Sequence, residues 1–265
     1  MNHRREQEAL WGLRIGCVQY LNSRPLMYGL SEVRLAHPRV LAEELRAGRL
    51  DVALVPVFEW LRDPGAYVAV DGFGVASRGP VMSVFLAYRG ELEGVREVVV
   101  DPASLTSVHL LQVLFRGVLG RSVSVVMNEG SGDSVARLWI GNQALGTRLG
   151  SEGKGWKYWD LGEVWTRWTG LPFVYALWVM RSDLSDLKGV ATCLRSVGKK
   201  GLAAIDSILS DQRELPLEVA REYLRERIWF EVGLEEKSGL KRFRSELRKA
   251  GFFGEESCAI PLLWA

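Results

Sequence analysis

Residues 38–57, PRVLAEELRAGRLDVALVPV, carry a helical pattern that passes directly into a buried strand. Apolar side chains recur at helical spacing in the first half, and Gly48 marks the end of the helix. Residues 51–57 are a short apolar run that predicts a strand. Upstream, residues 13–20 (LRIGCVQY) predict another buried strand, so these segments form a strand–helix–strand unit of the parallel type.

The rest of the chain continues this alternation and then ends in helices. The predicted strands are residues 81–88, 95–100, 138–140 and 171–180, and the predicted helices are residues 107–119, 160–169, 187–209, 216–228 and 238–250. After residue 184 only helices are expected. The pattern favours an α/β protein of two lobes joined by crossings near residues 83–88 and 176–180. Lobe 1 would comprise residues 12–87 and 177–265, and lobe 2 residues 88–176.

Composition limits the classes of partner. The chain has 265 residues, of which 48% are hydrophobic and 25% charged, which is typical of a globular protein and not of a disordered one. The net charge is +2, so we expect neither nucleic acid nor an anionic membrane as a partner. A small anionic ligand remains compatible with this balance, because the field of a pocket need not follow the total charge.

The sequence also bears on location and on metal chemistry. Residues 1–11 are polar and lack the apolar run of a secretory signal, and no stretch reaches the length of a membrane span, so we expect a cytoplasmic protein. Cys17, Cys193 and Cys258 are far apart and form no CxxC pair. We therefore expect buried, reduced thiols, without a disulfide framework or a metal site.

Four segments resemble the chorismate dehydratases of the futalosine route to menaquinone. Residues 18–26 (VQYLNSRPL) are similar to the family's opening V-x-Y-L-N-x-x-P-L, and residues 51–56 (DVALVP) to its D-x-A-L-x-P strand. Residues 160–178 (DLGEVWTRWTGLPFVYALW) resemble its D-L-G-x-x-W and T-G-L-P-F-V-x-A-x-W segment. Residues 223–243 are similar to its C-terminal helices. The resemblance extends over residues 13–253, and the first and third motifs are long and specific.

This resemblance implies a type II periplasmic-binding-protein-like fold that holds its substrate in a cleft between two lobes. It implies an enzyme that converts chorismate, a dicarboxylate, to 3-[(1-carboxyvinyl)oxy]benzoate and water, with no cofactor and no metal. We expect a monomer or a homodimer. A sister family of the same route makes a naphthoate on the same fold, but its usual S-P-C-P-N-D opening is absent here.

Asn22 is the predicted catalytic residue, with Ser23 beside it as a substrate ligand. Asn22 follows a predicted strand and precedes a helix start, the edge at which parallel sheets present ligand groups. Its amide offers two donors and an acceptor, although asparagine is also common in turns and helix caps. Ser83, on a predicted crossing strand, matches a family serine and is either a cleft donor or a satisfied strand hydroxyl.

Ser104, Thr106 and Ser107 are predicted to bind a carboxylate. They open a helix directly after a strand, where free N–H groups and the helix dipole attract anions, although the same residues also serve as plain caps. The family commonly reads S-R-T-S here, and Leu105 replaces the arginine. Asn142, a further predicted substrate ligand, replaces the aspartate of the family's G-D-x-A-L. Both changes remove a charge and bear on substrate affinity more than on the fold.

No histidine, aspartate or glutamate is among the residues predicted to bind the substrate. We therefore expect the substrate's own enolpyruvyl carboxylate to accept the proton in the elimination. His109, on the helix that follows Thr106, could face the cleft but more simply has a structural role. Two other classes remain: a solute-binding protein that captures an anion without converting it, and the ligand-sensing domain of a regulator. The second would need a DNA-binding module, for which there is no room before Trp11.

Overall fold

The computed structural model describes residues 8–127, 136–149, 155–254 and 260–265. Its strands form two separate sheets, one of six strands and one of five, which confirms the predicted α/β architecture with two lobes. The strands are β1 (Ile15–Val18), β2 (Val33–Ala36), β3 (Val52–Pro56), β4 (Tyr67–Ser77), β5 (Val84–Tyr88), β6 (Glu97–Val100), β7 (Ser124–Val126), β8 (Ala136–Ile140), β9 (Lys157–Asp160), β10 (Phe173–Arg181) and β11 (Trp229–Val232).

The α-helices lie between and after these strands. They are α1 (Pro38–Arg46), α2 (Val57–Arg62), α3 (Thr106–Leu119), α4 (Gly141–Leu149), α5 (Leu161–Thr169), α6 (Leu187–Ala203), α7 (Ile205–Asp211), α8 (Leu217–Glu222) and α9 (Leu234–Lys249). A 3₁₀ helix covers Leu21–Met27. Tyr223–Arg227 continues α8 as a π-helical turn. Within the described ranges, no helix is long and apolar enough to cross a bilayer.

The predicted parallel pairing of two strands with a helix between them is confirmed, but β2, which was not predicted, also lies between them in the sequence and pairs with β1. Strands β1 and β3 pair in parallel. The chain runs from β1 through β2 and α1 to β3, and it turns between α1 and β3 at Gly48, whose φ is +66°. The helix buries Leu41 and Leu45 completely, as its apolar spacing indicates. A Cβ on Gly16 would come within 2.7 Å of Leu41 Cδ2 and 2.6 Å of Leu50 Cδ1, so any larger residue there would require these two side chains to shift.

The expectation that helices alone close the chain is wrong. Trp229–Val232 is β11, which pairs antiparallel with β4 at the edge of the first sheet. Its burial alternates with period two, exposed then buried, which is the signature of a half-buried strand. The run WFEV is too short for this signal to stand out between two helical patterns. The helix predicted over residues 187–209 is also interrupted, because α6 ends at Ala203 and α7 begins at Ile205.

The second sheet has the order β7-β6-β8-β5-β9, and β5 pairs antiparallel with both β8 and β9. All of β10 lies in the first sheet, between β4 and β3. The predicted lobe boundaries after residues 87 and 176 therefore fall inside strands. Because each strand belongs to a single sheet, we propose that the lobes are joined by the connecting segments 78–83 and 161–172.

Candidate functional site

A narrow cleft opens where segments of both sheets meet. Its cavity volume is about 70 Å³, which is room for roughly five water molecules at about 10–15 Å³ each on the same scale. First-sheet segments contribute Val18, Tyr20, Asn22, Pro38, Pro56, Val75, Tyr175 and Ala176 to its lining; second-sheet segments contribute Val84, Ala103, Ser104, Leu105, Thr106, Ser107, Ile140 and Gly141. Among the described lining residues, none is an aspartate, glutamate, lysine, arginine or histidine. The cleft therefore offers a ligand neutral hydrogen-bonding groups and apolar walls.

Asn22 lies in this cleft with an acceptor that has no partner. The 3₁₀ helix after β1 carries it into a site where its side chain is 8% exposed. Its Nδ2 donates to Tyr223 Oη at 2.8 Å, while the buried Oδ1 makes no hydrogen bond. Leaving a buried acceptor unmatched costs about 1–3 kcal/mol, and a ligand donor would remove that cost. The predicted position of Asn22 at the carboxyl end of β1 thus coincides with an open acceptor.

Ser83 lies beside Asn22 and is reached through the same tyrosine. Tyr223 Oη donates to Ser83 Oγ at 2.8 Å, and Ser83 is 2% exposed. The preceding Met82 has a φ of +62°, a conformation that is uncommon for a residue with a side chain. Such a backbone persists only where its surroundings fix it. The segment that presents Ser83 is therefore held in place by neighbouring groups.

Asp160 is the group that holds this segment. Its carboxylate accepts hydrogen bonds from the N–H groups of Val81 and Met82, and also caps α5 by accepting from those of Gly162 and Glu163. The side chain is almost fully buried, and burial raises the pKa of Asp160 while the backbone N–H groups oppose the shift. Asp160 therefore fixes the segment that leads to Ser83 and the cleft.

Ser104, Thr106 and Ser107 line the cleft together, as predicted, at the start of α3. Ser104 is 1% exposed and its Oγ has no partner. Thr106 Oγ1 accepts from the N–H of Phe58 at 3.1 Å, which leaves the hydroxyl proton of Thr106 available. Leu105 precedes the helix and provides no side-chain cap. Since the first N–H groups of a helix have no intrahelical acceptor, this turn presents a set of donors suited to a carboxylate.

Arg39 adds a positive charge beside this turn. It lies on the first turn of α1, next to Pro38 of the cleft wall, and its Nη2 donates to the Ser104 carbonyl at 3.3 Å. Its Nε is buried without a hydrogen-bond partner. Leu105 replaces the arginine that the family pattern contains, whereas Arg39 places a guanidinium against the Ser104 carbonyl from a helix of the first-sheet segments. An arginine at the start of an otherwise ordinary amphipathic helix gave no sequence signal of this position.

Two predicted ligands, Ser23 and Asn142, do not line the cleft. Ser23 is fully buried, and its hydroxyl lies against the carbonyls of Val18 and Tyr20, so it stabilises the turn that carries Asn22. Asn142 Oδ1 accepts from the N–H of Leu21 at 3.0 Å, which ties α4 to the 3₁₀ helix. Both prefer nearby backbone partners, as short polar side chains often do. An amide oxygen meets this N–H as well as a carboxylate would, so the aspartate is not required for that contact.

His109 is a structural residue. Its Nδ1 lies 2.8 Å from the carbonyl of Leu105, and its ring stacks on Phe58 with centroids 3.4 Å apart. Phe252 packs edge-on against the other side. Burial lowers the pKa of His109 to about 4, so the ring is neutral at pH 7 and Nδ1 donates to the carbonyl. It is absent from the cleft lining, which confirms the structural reading.

The buried neutral His109 predicts acid sensitivity. A folded pKa of about 4 lies below the ordinary value of 6.5, so between these values the unfolded chain binds the extra proton and the folded state loses stability as the pH falls. The upper bound is on the order of 3 kcal/mol, at about 1.4 kcal/mol for each pKa unit. We expect His109→Phe, which retains the stacking, to reduce this pH dependence in urea unfolding at pH 7 and 4.5. An unchanged dependence would contradict the assignment.

The tyrosines of the site were not predicted from the sequence. Tyr223 connects Asn22 to Ser83, and Tyr175 Oη pairs with Ser77 Oγ at 3.0 Å. Burial raises the pKa of both phenols, so both retain their protons. Their positions lie in segments that the family resemblance covers, but nothing in the local pattern distinguishes them from core aromatic residues.

Two proteins of known activity are similar to this chain over most of its length. The chorismate dehydratase of Thermus thermophilus is 28% identical over 88% of this chain and 94% of its own length. The chorismate dehydratase of Campylobacter jejuni is 28% identical over 84% of this chain and 88% of its own.

Solved structures show the fold. A protein from Archaeoglobus fulgidus has a TM-score of 0.71 at 15% identity and covers 91% of this chain and 98% of its own. The periplasmic aliphatic sulphonate binding protein SsuA from Escherichia coli has a TM-score of 0.58 at 16% identity and covers 92% and 94%. The two sheets and the cleft thus form a periplasmic-binding-protein-like fold, as predicted.

The sequence model of one family, described as menaquinone biosynthesis, matches residues 13–249. That range contains both sheets, the turn with Asn22 and the start of α3. The chain therefore belongs to the menaquinone biosynthesis family.

Proposed function

We propose that this protein is a chorismate dehydratase, which removes water from chorismate to give 3-[(1-carboxyvinyl)oxy]benzoate in the futalosine route. The observation that carries the proposal is the pair of unmatched buried polar atoms, Asn22 Oδ1 and Ser104 Oγ, in one cleft. Each needs a ligand partner, and chorismate has both a hydroxyl group and carboxylates. The two curated relatives described above carry the same activity in their names.

The turn at residues 104–107, which we call the carboxylate-binding turn, suits the ring carboxylate of this substrate. The proton removed from C3 is the γ-proton of an unsaturated carboxylate, so its loss gives an extended dienolate with charge on that carboxylate. Donors fixed in advance stabilise such charge without reorganisation. The hydroxyl groups at Ser104, Thr106 and Ser107, together with the first N–H groups of α3, form this set, and Arg39 adds positive charge behind it.

The substrate itself supplies the base in this proposal. Of the described residues that line the cleft, none carries a carboxylate, an imidazole or an amine. The enolpyruvyl carboxylate accepts the C3 proton, the C4–O bond breaks as the ring becomes aromatic, and the same proton completes the departing hydroxide as water. Atoms and charge balance without an external acid or base. Asn22 orients the C4 side of the substrate.

This mechanism predicts turnover that is nearly independent of pH. Burial raises the pKa of Tyr20 to about 12 and raises those of Tyr175 and Tyr223, whereas that of His109 falls to about 4. None of these groups changes protonation between pH 6 and 9, so we expect kcat to vary less than about twofold over this range. Initial rates in overlapping buffers measure it. A limb with an apparent pKa of 6–8 would indicate a side-chain base instead.

The direct test is to dialyse the purified protein against a chelator, add chorismate and separate the products by chromatography with mass detection. We expect loss of one water and an aromatic ultraviolet spectrum. Intact chorismate that the protein retains through dialysis would support a solute-binding protein, the class to which the sulphonate-binding neighbour belongs. Intact chorismate that is not retained would refute both readings and turn attention to the sister reaction that makes a naphthoate.

We further propose a cytoplasmic location and a monomeric or homodimeric state. Chorismate is a small-molecule substrate, and the near-neutral net charge supports neither nucleic acid nor a membrane as a partner. Fractionation of the source cells and light scattering of the purified protein test these two statements.

A further inference from the structure

Tyr223 joins the two residues at one end of the cleft. Its hydroxyl lies 2.8 Å from Asn22 Nδ2 and 2.8 Å from Ser83 Oγ, and its side chain is 1% exposed. Asn22 and Ser83 come from opposite sides of the cleft, because Asn22 follows β1 of the first sheet and Ser83 precedes β5 of the second. Among the described residues, Tyr223 is thus the one whose side chain forms hydrogen bonds with both Asn22 and Ser83.

The directions of these two hydrogen bonds determine which polar groups of Asn22 and Ser83 remain free to bind a ligand. An amide Nδ2 can only donate, so Tyr223 Oη must accept from Asn22. A phenol has one proton, and the geometry assigns it to Ser83 Oγ. Burial raises the pKa of Tyr223, so this proton is retained at neutral pH. Ser83 Oγ accepts this hydrogen bond, so the hydroxyl proton of Ser83 is available to a different acceptor.

The consequence is a defined polarity at this end of the cleft. With Nδ2 engaged, Asn22 presents Oδ1, an acceptor without a partner. Ser83 presents a hydroxyl donor. An adjacent acceptor and donor match a ligand hydroxyl, which donates one hydrogen bond and accepts another. A carboxylate is a poor match, because its oxygens would face the amide oxygen.

We infer that Tyr223 is a positioning residue that orients the Asn22 amide and the Ser83 hydroxyl, so that this end of the cleft selects a substrate hydroxyl and not a carboxylate. This inference rests on the proposed function in one respect: in chorismate the hydroxyl is the leaving group at C4. The Ser83 hydroxyl donates a hydrogen bond to the departing oxygen, and Asn22 Oδ1 accepts one from the hydroxyl group at C4. The carboxylate is thereby directed to the opposite end, at the start of α3.

The local structure is consistent with this role. Tyr223 begins the π-helical turn that continues α8, and Ile228, which follows that turn, lines the cleft. Single π-helical turns shift the register of a helix and occur frequently at functional sites. Here the turn places Tyr223 within reach of both partners.

The test uses Tyr223→Phe, which removes only the hydroxyl. We expect kcat to fall roughly 10- to 100-fold while KM changes less than about threefold, because the variant frees the amide to rotate without removing the carboxylate-binding turn. In the background of Asn22→Ala combined with Ser83→Ala, the same change should add less than about twofold, since Tyr223 acts through these two side chains. Tyr67→Phe is the matched control, because it removes a buried hydroxyl that donates to Glu59, and it should leave kcat unchanged.

A second readout does not depend on turnover. The side-chain amide protons of Asn22, followed by nitrogen-15 NMR, should shift and exchange faster with solvent in Tyr223→Phe than in the wild type. Unchanged Asn22 signals, an unchanged kcat, or an undiminished effect of Tyr223→Phe in the Asn22→Ala, Ser83→Ala background would overturn the inference. If the wild type does not convert chorismate, the proposed function fails, and the NMR result alone decides the role of Tyr223.

Discussion

Replacing Asn22 with alanine should lower kcat/KM for chorismate roughly 100- to 1,000-fold, the range found when one preorganised polar group is removed from a reacting centre. The amide supplies the only unmatched acceptor near Ser83 in the described lining, and without it the leaving hydroxyl loses its orientation. Folding should be little affected, because the side chain makes one hydrogen bond to protein. Steady-state kinetics beside a thermal unfolding curve measures both effects.

The matched control for this prediction is Gln212→Ala. Gln212 is also a buried amide, it does not line the cleft, and it both donates to and accepts from the backbone of Leu215. Its removal should lower the free energy of unfolding by about 1–3 kcal/mol and leave kcat/KM unchanged. Asn22→Ala with near-normal turnover would remove Asn22 from the chemistry, and a side-chain base elsewhere would then have to be sought.

Replacing Asp160 with asparagine should cost about 3 kcal/mol of unfolding free energy. The two carboxylate oxygens accept from four backbone N–H groups, so an NH₂ group in place of one oxygen would face N–H donors. Because Val81 and Met82 hold the segment that presents Ser83, we also expect kcat to fall roughly 10- to 100-fold, the effect of a displacement of about 1 Å. Urea unfolding and kinetics on the same preparation separate the two effects.

Glu163→Gln is the control for Asp160. Glu163 lies on the first turn of the same helix, but its partner Arg167 is exposed, so the loss of that ion pair should cost less than about 1 kcal/mol and leave turnover unchanged. A stable and fully active Asp160→Asn would show that the segment before β5 is fixed by other contacts.

The strand–helix–strand unit at residues 15–56 could be predicted because its signals are local. Apolar spacing and Gly48 give α1, and an uninterrupted apolar run gives β3. Strand β11 could not be predicted in this way, because it forms only by pairing with β4, which lies far away in the sequence. The predicted lobe boundaries fall inside strands for the same reason: sheet membership depends on which strands pair and is not encoded in any single strand.

The candidate site was partly predictable. Asn22, Ser83 and the start of α3 follow strand ends, where α/β proteins present ligand groups, and the resemblance singled them out. Ser23 and Asn142 have equally suitable side chains but are used within the protein, which depends on the nearest carbonyl or N–H. Tyr223 and Arg39 reach the site from distant segments, so only the folded chain reveals them.

The most direct test of the account is the crystal structure of Asn22→Ala with chorismate bound, since this variant should bind the substrate and convert it slowly. The ring carboxylate should lie within hydrogen-bond distance of Ser104 Oγ and the first N–H groups of α3, and the C4 hydroxyl should be directed at Ser83. Chorismate with the hydroxyl at α3, or bound outside this cleft, would contradict this prediction.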